Sequence, residues 1–144
     1  MGPADVPAGP LAVDTDVFSW MHWQRGSRRG EFERLVAGHP LVLSFPVVGE
    51  LTVGAIRGRL GTARRRELAR AIAACVVIPS DTRVVEQWAE IQARFLDQLK
   101  GGGVNDMRIA ACCLVYELPI VTGNLGDFGT IAGAFPLTIV HPDL

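Results

Sequence analysis

Apolar residues fall into short uninterrupted runs bounded by turn-forming or helix-capping residues: Leu11 to Val13, Leu41 to Leu43, Val76 to Ile78, Ile120 to Val121 and Leu137 to Val140. Runs this short, without polar alternation, predict strands buried on both faces. Between them the spacing changes. Val84, Trp88, Ile91, Phe95 and Leu99 follow one another by three or four residues and predict an amphipathic helix, with Ser80 and Asp81 available to cap its start and Gly101 to Gly103 to end it. Ser44 is placed to cap a second helix that begins near Pro46, where a missing N–H costs nothing, and runs through Glu50 to about Arg57. Asn105 is placed to cap a third, continuing through Ile109, Ala111 and Cys113 to Tyr116. Strands alternating with helices imply crossovers, and crossovers imply parallel neighbours. The predicted class is α/β, a mostly parallel central sheet of about five strands flanked by helices.

The 144 residues fit one domain. Residues 1–10, rich in Pro, Gly and Ala, are expected to be a flexible segment ahead of a single domain over residues 11–144. A composition of 49% apolar and 20% charged residues excludes intrinsic disorder, and no apolar stretch approaches the ~18 residues of a membrane span. Met1 to Pro10 carry Asp5 and three prolines and lack the basic start and apolar middle of a secretory signal, so a cytosolic address is expected. Cys75, Cys112 and Cys113 lack C-x-x-C spacing, which argues for buried reduced thiols and against a structural zinc site.

Candidate chemistry lies in the carboxylates, because parallel α/β sheets collect ligands beyond the carboxyl ends of their strands. Asp14 follows the first run directly. Glu50 sits in the otherwise apolar segment Pro46 to Leu51, where burial would require a positive group facing it. Asp106 falls in the first turn of the Asn105 helix, and Asp127 in the loop Thr122 to Phe128 that leaves the fourth strand. Each alone is as readily a helix cap or an ordinary loop residue. Together they form an oxygen-rich set suited to Mg²⁺ or Mn²⁺, since clustered carboxylates repel and would take up protons unless a cation neutralised them. Metal-assisted phosphodiester hydrolysis is the reaction such a set fits.

Four segments carry a family resemblance. Val13-Asp14-Thr15-Asp16-Val17 resembles the opening motif of PIN domains, and Val48-Gly49-Glu50-Leu51 their second-helix glutamate motif. Asn105-Asp106-Met107-Arg108-Ile109-Ala110-Ala111 is similar to the D-x-x-I-A-A signature, and Val121 to Phe128 to the closing T-x-N-x-x-D-F. In order and spacing the set resembles the VapC-type toxins of VapBC toxin–antitoxin systems. That resemblance implies a metal-dependent endoribonuclease, held inactive by a cognate antitoxin and often dimeric. It implies Asp14 and Asp106 as the main ligands of Mg²⁺ or Mn²⁺, Glu50 and Asp127 completing the pocket directly or through water, and Thr122 and Asn124 as supporting residues. Two positions depart from the pattern: Asp16 stands where asparagine is common, and Gly123 and Gly126 are expected to loosen the loop presenting Asp127.

The net charge of −1 gives no global basic footprint, yet thirteen of the fourteen basic residues are Arg and several cluster, at Arg57, Arg59, Arg64, Arg65 and Arg66 and at Arg25, Arg28 and Arg29. RNA approaching an acidic pocket needs flanking cations, and Arg57, Arg59 and Arg108 are nearest the motifs in sequence. His22, His39 and His141 are scattered without metal-ligand spacing, and Trp20 and Trp23 are expected in core or dimer packing. Two alternatives are a haloacid-dehalogenase-like phosphatase, with Asp14 as nucleophile, Asp16 as acid/base and Ser44 and Lys100 in support, and a PIN-like module that binds RNA or protein without cutting. The first would want a further acidic pair late in the chain, where only Asp127 and Asp143 stand, and would leave Glu50 without a role.

Overall fold

All five apolar runs form strands, and each pairs in parallel with its neighbour in the order β3-β2-β1-β4-β5. The computed structural model describes residues 1–99 and 103–144. Lys100, Gly101 and Gly102, which bear on the phosphatase comparison and the predicted helix stop, lie outside the described residues. The chain runs through β1 (Leu11–Val13), α1 (Thr15–Trp23), α2 (Arg29–Val36), β2 (Leu41–Ser44), α3 (Phe45–Arg57), α4 (Thr62–Ala73) and β3 (Val76–Ile78). It continues through α5 (Thr82–Phe95), α6 (Gly103–Val115), β4 (Ile120–Val121), α7 (Leu125–Ala132) and β5 (Ile139–Val140). A single 3-10 turn, Pro3–Asp5, precedes β1, and Val6 behind it is buried.

The first two crossovers step outward from β1 to β2 to β3, and the third returns to the opposite side of β1 to lay down β4. The order therefore reverses between β1 and β4, and the crevice beyond the carboxyl ends of those two strands is where a fold of this kind places ligands. Register puts Val13 opposite Val121, and the Asp14 N–H donates to the Val121 carbonyl at 2.9 Å, so the residues following the two strands emerge side by side.

The core joins β1, β2, β4 and β5 to the inner faces of the helices. α6 is the most enclosed helix: Met107, Ile109, Ala110, Ala111, Cys112 and Cys113 are all buried, and α5 packs extensively against it. Both thiols are free, and burial pushes each of them up in pKa, Cys112 to about 12, which fits the expected reduced, inert cysteines. His141 is also buried, its ring edge-on to Phe32 at 5.5 Å. No helix among the described residues is long and apolar enough to cross a membrane.

Several boundaries differ from the sequence expectation, each for a local reason. α5 ends at Phe95, because the N–H groups of Gln98 and Leu99 both turn back to the Phe95 carbonyl; Leu99 reaches the core from that turn. α6 begins at Gly103, so Asn105 lies inside its first turn and does not cap it. A Cβ at Gly103 would sit 2.7 Å from the Leu99 Cβ, and only glycine fits where the start of α6 passes that residue. Ser44 occupies the cap position of α3, yet its hydroxyl makes no cap bond and is buried without a partner. β5 is shorter than its apolar run: Leu137 is held in a tight turn by its bond to the Phe135 carbonyl, and Thr138 already accepts from Ile120.

Candidate active site

Asp14 is the first residue after β1 and the N-cap of α1. Its Oδ1 accepts from the Thr15 N–H at 2.7 Å, and its Oδ2 accepts from the Thr122 hydroxyl at 2.8 Å. Thr122 is the residue after β4, fully buried, so the two strand ends at the reversal point are tied through side chains as well as through the sheet. The Thr122 oxygen in turn accepts from the Asn124 N–H at 3.0 Å.

Asn124 joins the remaining acids. Its amide Nδ2 donates to Asp106 Oδ2 at 2.9 Å and to Asp127 Oδ2 at 3.2 Å, and its Oδ1 accepts from the Asp127 N–H at 3.2 Å. That last bond makes Asn124 the N-cap of α7, so Asp127 stands in the first turn of a helix and not in a loop as expected from sequence. The two glycines do not loosen it. Gly126 lies within α7, and Gly123 is pressed against Trp20, where a Cβ would fall 2.7 Å from the ring.

Glu50, from α3, accepts a hydrogen bond from the Thr15 hydroxyl at 2.7 Å. It is exposed, so the positive partner expected from its apolar sequence surroundings is not required. None of the four acids takes part in an ion pair among the described residues. Asp14 and Asp106 hold their protons more tightly than ordinary carboxylic acids. Burial lifts Asp14 to about 6, against the stabilising bonds from Thr122 and the Thr15 N–H, with the charges of Asp16 and Glu50 adding to the rise. Asp106 is held well above the ordinary carboxylate range, first by burial, then by a hydrogen bond shared with Asp127 and by the charges of Asp14, Asp127 and Glu50.

This donor set fits a hard divalent cation in kind: carboxylates, hydroxyls and an amide, with no thiol or imidazole and with uncompensated negative charge. Among the described residues no three His, Cys, Asp or Glu side chains stand close enough to hold one ion as they are, and Asn124 spans Asp106 and Asp127.

The sequence-nominated arginines do not line the cavity beside Thr15 and Glu50. Arg57 and Arg59 are exposed around the end of α3, and Arg108 stacks over Trp88, its Cζ 4.9 Å from the ring centre, at a groove with Phe45 and Val84. Arg25 and Arg64 do line that cavity, together with Thr15, Glu50 and Trp23. Their clusters were visible in sequence, but the convergence of α1, α3 and α4 that brings them there was not.

Thr122→Val tests how far this network holds Asp14. A hydrogen bond to a charged, buried group contributes about 1.5–3 kcal/mol. Urea unfolding at pH 7 is expected to show a loss of that order, and a smaller one at pH 5, where Asp14 is largely protonated in the folded state.

An α/β domain whose strand order reverses beneath four unpaired carboxylates is the class defined by this geometry. The chain belongs to the PIN-domain family, whose model matches residues 11–133. That match removes the phosphatase alternative. No curated protein matches the chain in sequence. Among solved structures it is similar in fold to VapBC2 of Rickettsia felis, solved bound to a promoter DNA fragment, with TM-score 0.73 and 17% identity over 91% of this chain and 97% of that one. VapBC-1 of nontypeable Haemophilus influenzae gives TM-score 0.71 and 20% identity, covering 94% and 99%. VapBC-5 of Mycobacterium tuberculosis, described as a member of the VapBC family of toxin–antitoxin systems, gives 0.67 and 22%, again covering 94% and 99%.

Proposed function

We propose that this chain is a metal-dependent endoribonuclease and the toxin of a VapBC-type toxin–antitoxin pair, acting on cytosolic RNA and restrained by a cognate antitoxin protein. The observation that carries the reading is the convergence of Asp14 and Asp106, with Glu50 and Asp127, on the region beyond β1 and β4, with none of the four in an ion pair among the described residues. The similarity in fold to VapBC toxin–antitoxin structures supports the partner and the biological role.

On this reading Asp14 and Asp106 hold Mg²⁺ or Mn²⁺, and Glu50 and Asp127 complete the pocket directly or through water. The bound ion supplies Lewis acidity, stabilising charge on a phosphate oxygen and making water a better nucleophile. The protein supplies orientation. Thr122 and the Thr15 N–H fix the Asp14 carboxylate from two sides, and the Thr15 hydroxyl fixes Glu50. Asn124 holds Asp106 and Asp127 facing each other. A surface built only to bind RNA would gain nothing from four acids gathered beyond the strand ends.

The test uses antitoxin-free protein, a pool of structured cellular RNAs, Mg²⁺, Mn²⁺ or chelator, and the variants Asp14→Asn and Asp106→Asn. Discrete cuts that require metal and vanish in both variants are expected. Folded protein that cuts nothing with metal, or cuts that survive both substitutions, would return the chain to a non-catalytic binding module. Melting curves give a second readout: a metal at a hundredfold excess over its Kd stabilises the folded state by about 2.7 kcal/mol. Wild type should show that rise, and a variant carrying both substitutions should not.

A further inference from the structure

Beside the acids lies a cavity of about 420 Å³, within the roughly 300–1,000 Å³ typical of small-ligand sites. Thr15 and Glu50 are among its lining residues, so it adjoins the candidate active site. Trp23, Arg25 and Arg64 line it as well. The Arg64 guanidinium lies 5.6 Å from the centre of the Trp23 ring. α1 ends at Gln24 in the left-handed conformation, and the Arg25 N–H turns back to the Trp20 carbonyl at 3.0 Å, which brings Arg25 to the same cavity as Trp23. Neither Arg25 nor Arg64 forms an ion pair among the described residues, unlike Arg28, Arg29 and Arg83. The floor is backbone at Gly54, where an added Cβ would meet nothing within 4 Å.

An aromatic ring with the Arg64 guanidinium over it and Arg25 on the same cavity, at the edge of an acidic site, suits a ligand whose π face takes the place of Arg64 on the ring while its anion pairs with the arginines. We infer that this cavity is a nucleotide subsite for single-stranded RNA, in which a base adjacent to the scissile bond stacks on Trp23 while Arg25 and Arg64 hold the flanking phosphates. The inference rests on the RNA-cleaving reading above. Stacking on an aromatic ring serves any base, so the subsite confers affinity for unpaired RNA and places the backbone across Glu50. The arginines hold phosphate at a distance from the acids that would otherwise repel it.

The experiment measures binding without cleavage. The full chain, in chelator, is titrated with a single-stranded hexaribonucleotide, following the Trp23 indole N–H by NMR, assigned by its loss in Trp23→Phe. Fluorescence anisotropy is then run at several salt concentrations. Trp23 is expected to shift, and Trp23→Leu to weaken binding about tenfold or more. Arg25→Gln and Arg64→Gln should each lower the salt slope by about 0.7, the value for one phosphate contact on a single strand. Both arginines are exposed, so these variants keep the fold even if Trp23→Leu does not.

Affinity and salt slope unchanged in both arginine variants would overturn the subsite, as would no binding of the hexaribonucleotide by wild type. Loss of antitoxin binding with RNA binding intact would also overturn it and assign the cavity to protein recognition. Metal-dependent cleavage by the same preparations reports separately on the nuclease reading.

Discussion

Asp14→Asn is expected to abolish RNA cleavage, by about a thousandfold or more, and at the same time to make the metal-free protein more stable at pH 7. The two effects share one cause. Folded Asp14 keeps its proton up to pH about 6, whereas the unfolded chain releases it near 3.8. Between those values folding takes up a proton, so this residue's contribution to stability falls as pH rises; above about 6 the whole penalty is present. A displacement of this size corresponds to about 3 kcal/mol. Asparagine removes the charge, accepts from the Thr15 N–H and donates to the Thr122 oxygen, at the cost of leaving the buried Thr122 hydroxyl proton without the acceptor it had in Asp14. A gain of about 1–3 kcal/mol at pH 7 in chelator should therefore shrink to nothing near pH 4. Asp81, lowered to about 2 by its bond from Tyr116, and Asp143, held below its ordinary range by Arg28, impose the opposite trend on wild type and variant alike. The difference between the two unfolding curves is the quantity to follow. A variant less stable than wild type at pH 7 would show that the Asp14 charge is already compensated without metal.

The largest loss of stability is expected from Phe128→Ala. Phe128 is fully buried on α7, immediately after Asp127. Truncating a core phenylalanine costs about 3–5 kcal/mol, a large part of the 5–15 kcal/mol that typically separates folded from unfolded domains. α7 is only eight residues long, contains Gly126 and Gly129, and is anchored by Phe128, Ile131 and the Asn124 cap. Loosening it should also impair presentation of Asp127, so cleavage should fall by more than the folded fraction does. Phe128→Leu, which leaves a smaller void, should restore most of both. A urea midpoint within about 1 kcal/mol of wild type for Phe128→Ala would mean that the site collapses around the void.

The sheet was readable because parallel strands buried on both faces are written as continuous apolar runs, and all five runs became strands. The helices were readable only where one stripe dominates, as in α5. α4 buries Leu68 alone, so it carries no apolar stripe to read and rests on the helix propensity of its Ala, Arg, Glu and Leu residues; α7 carries two glycines and owes its helical state to tertiary packing that leaves little trace in a local window. The acids were legible for a different reason: each follows a strand or opens a helix near the strand ends, and topology does the rest. What could not be read is how they are tied together. Asn124 spanning Asp106 and Asp127, and Thr15 reaching Glu50 across 35 residues, are contacts between elements whose relative placement no spacing rule specifies. The same holds for Arg25 and Arg64, which line one cavity with Glu50 although Arg57 and Arg59 are closer to it in the chain.

The bond from Thr122 to Asp14 spans 108 residues and closes the site from both halves of the chain. During synthesis, Asp14 and Glu50 are made long before Thr122, Asn124 and Asp127 exist. Until β4 slides in beside β1, the growing polypeptide has only Thr15 to orient Asp14 and Glu50, and Asp106 lacks its partner Asn124. On the nuclease reading proposed above, the nascent chain has no assembled site until β4 and α7 have been added.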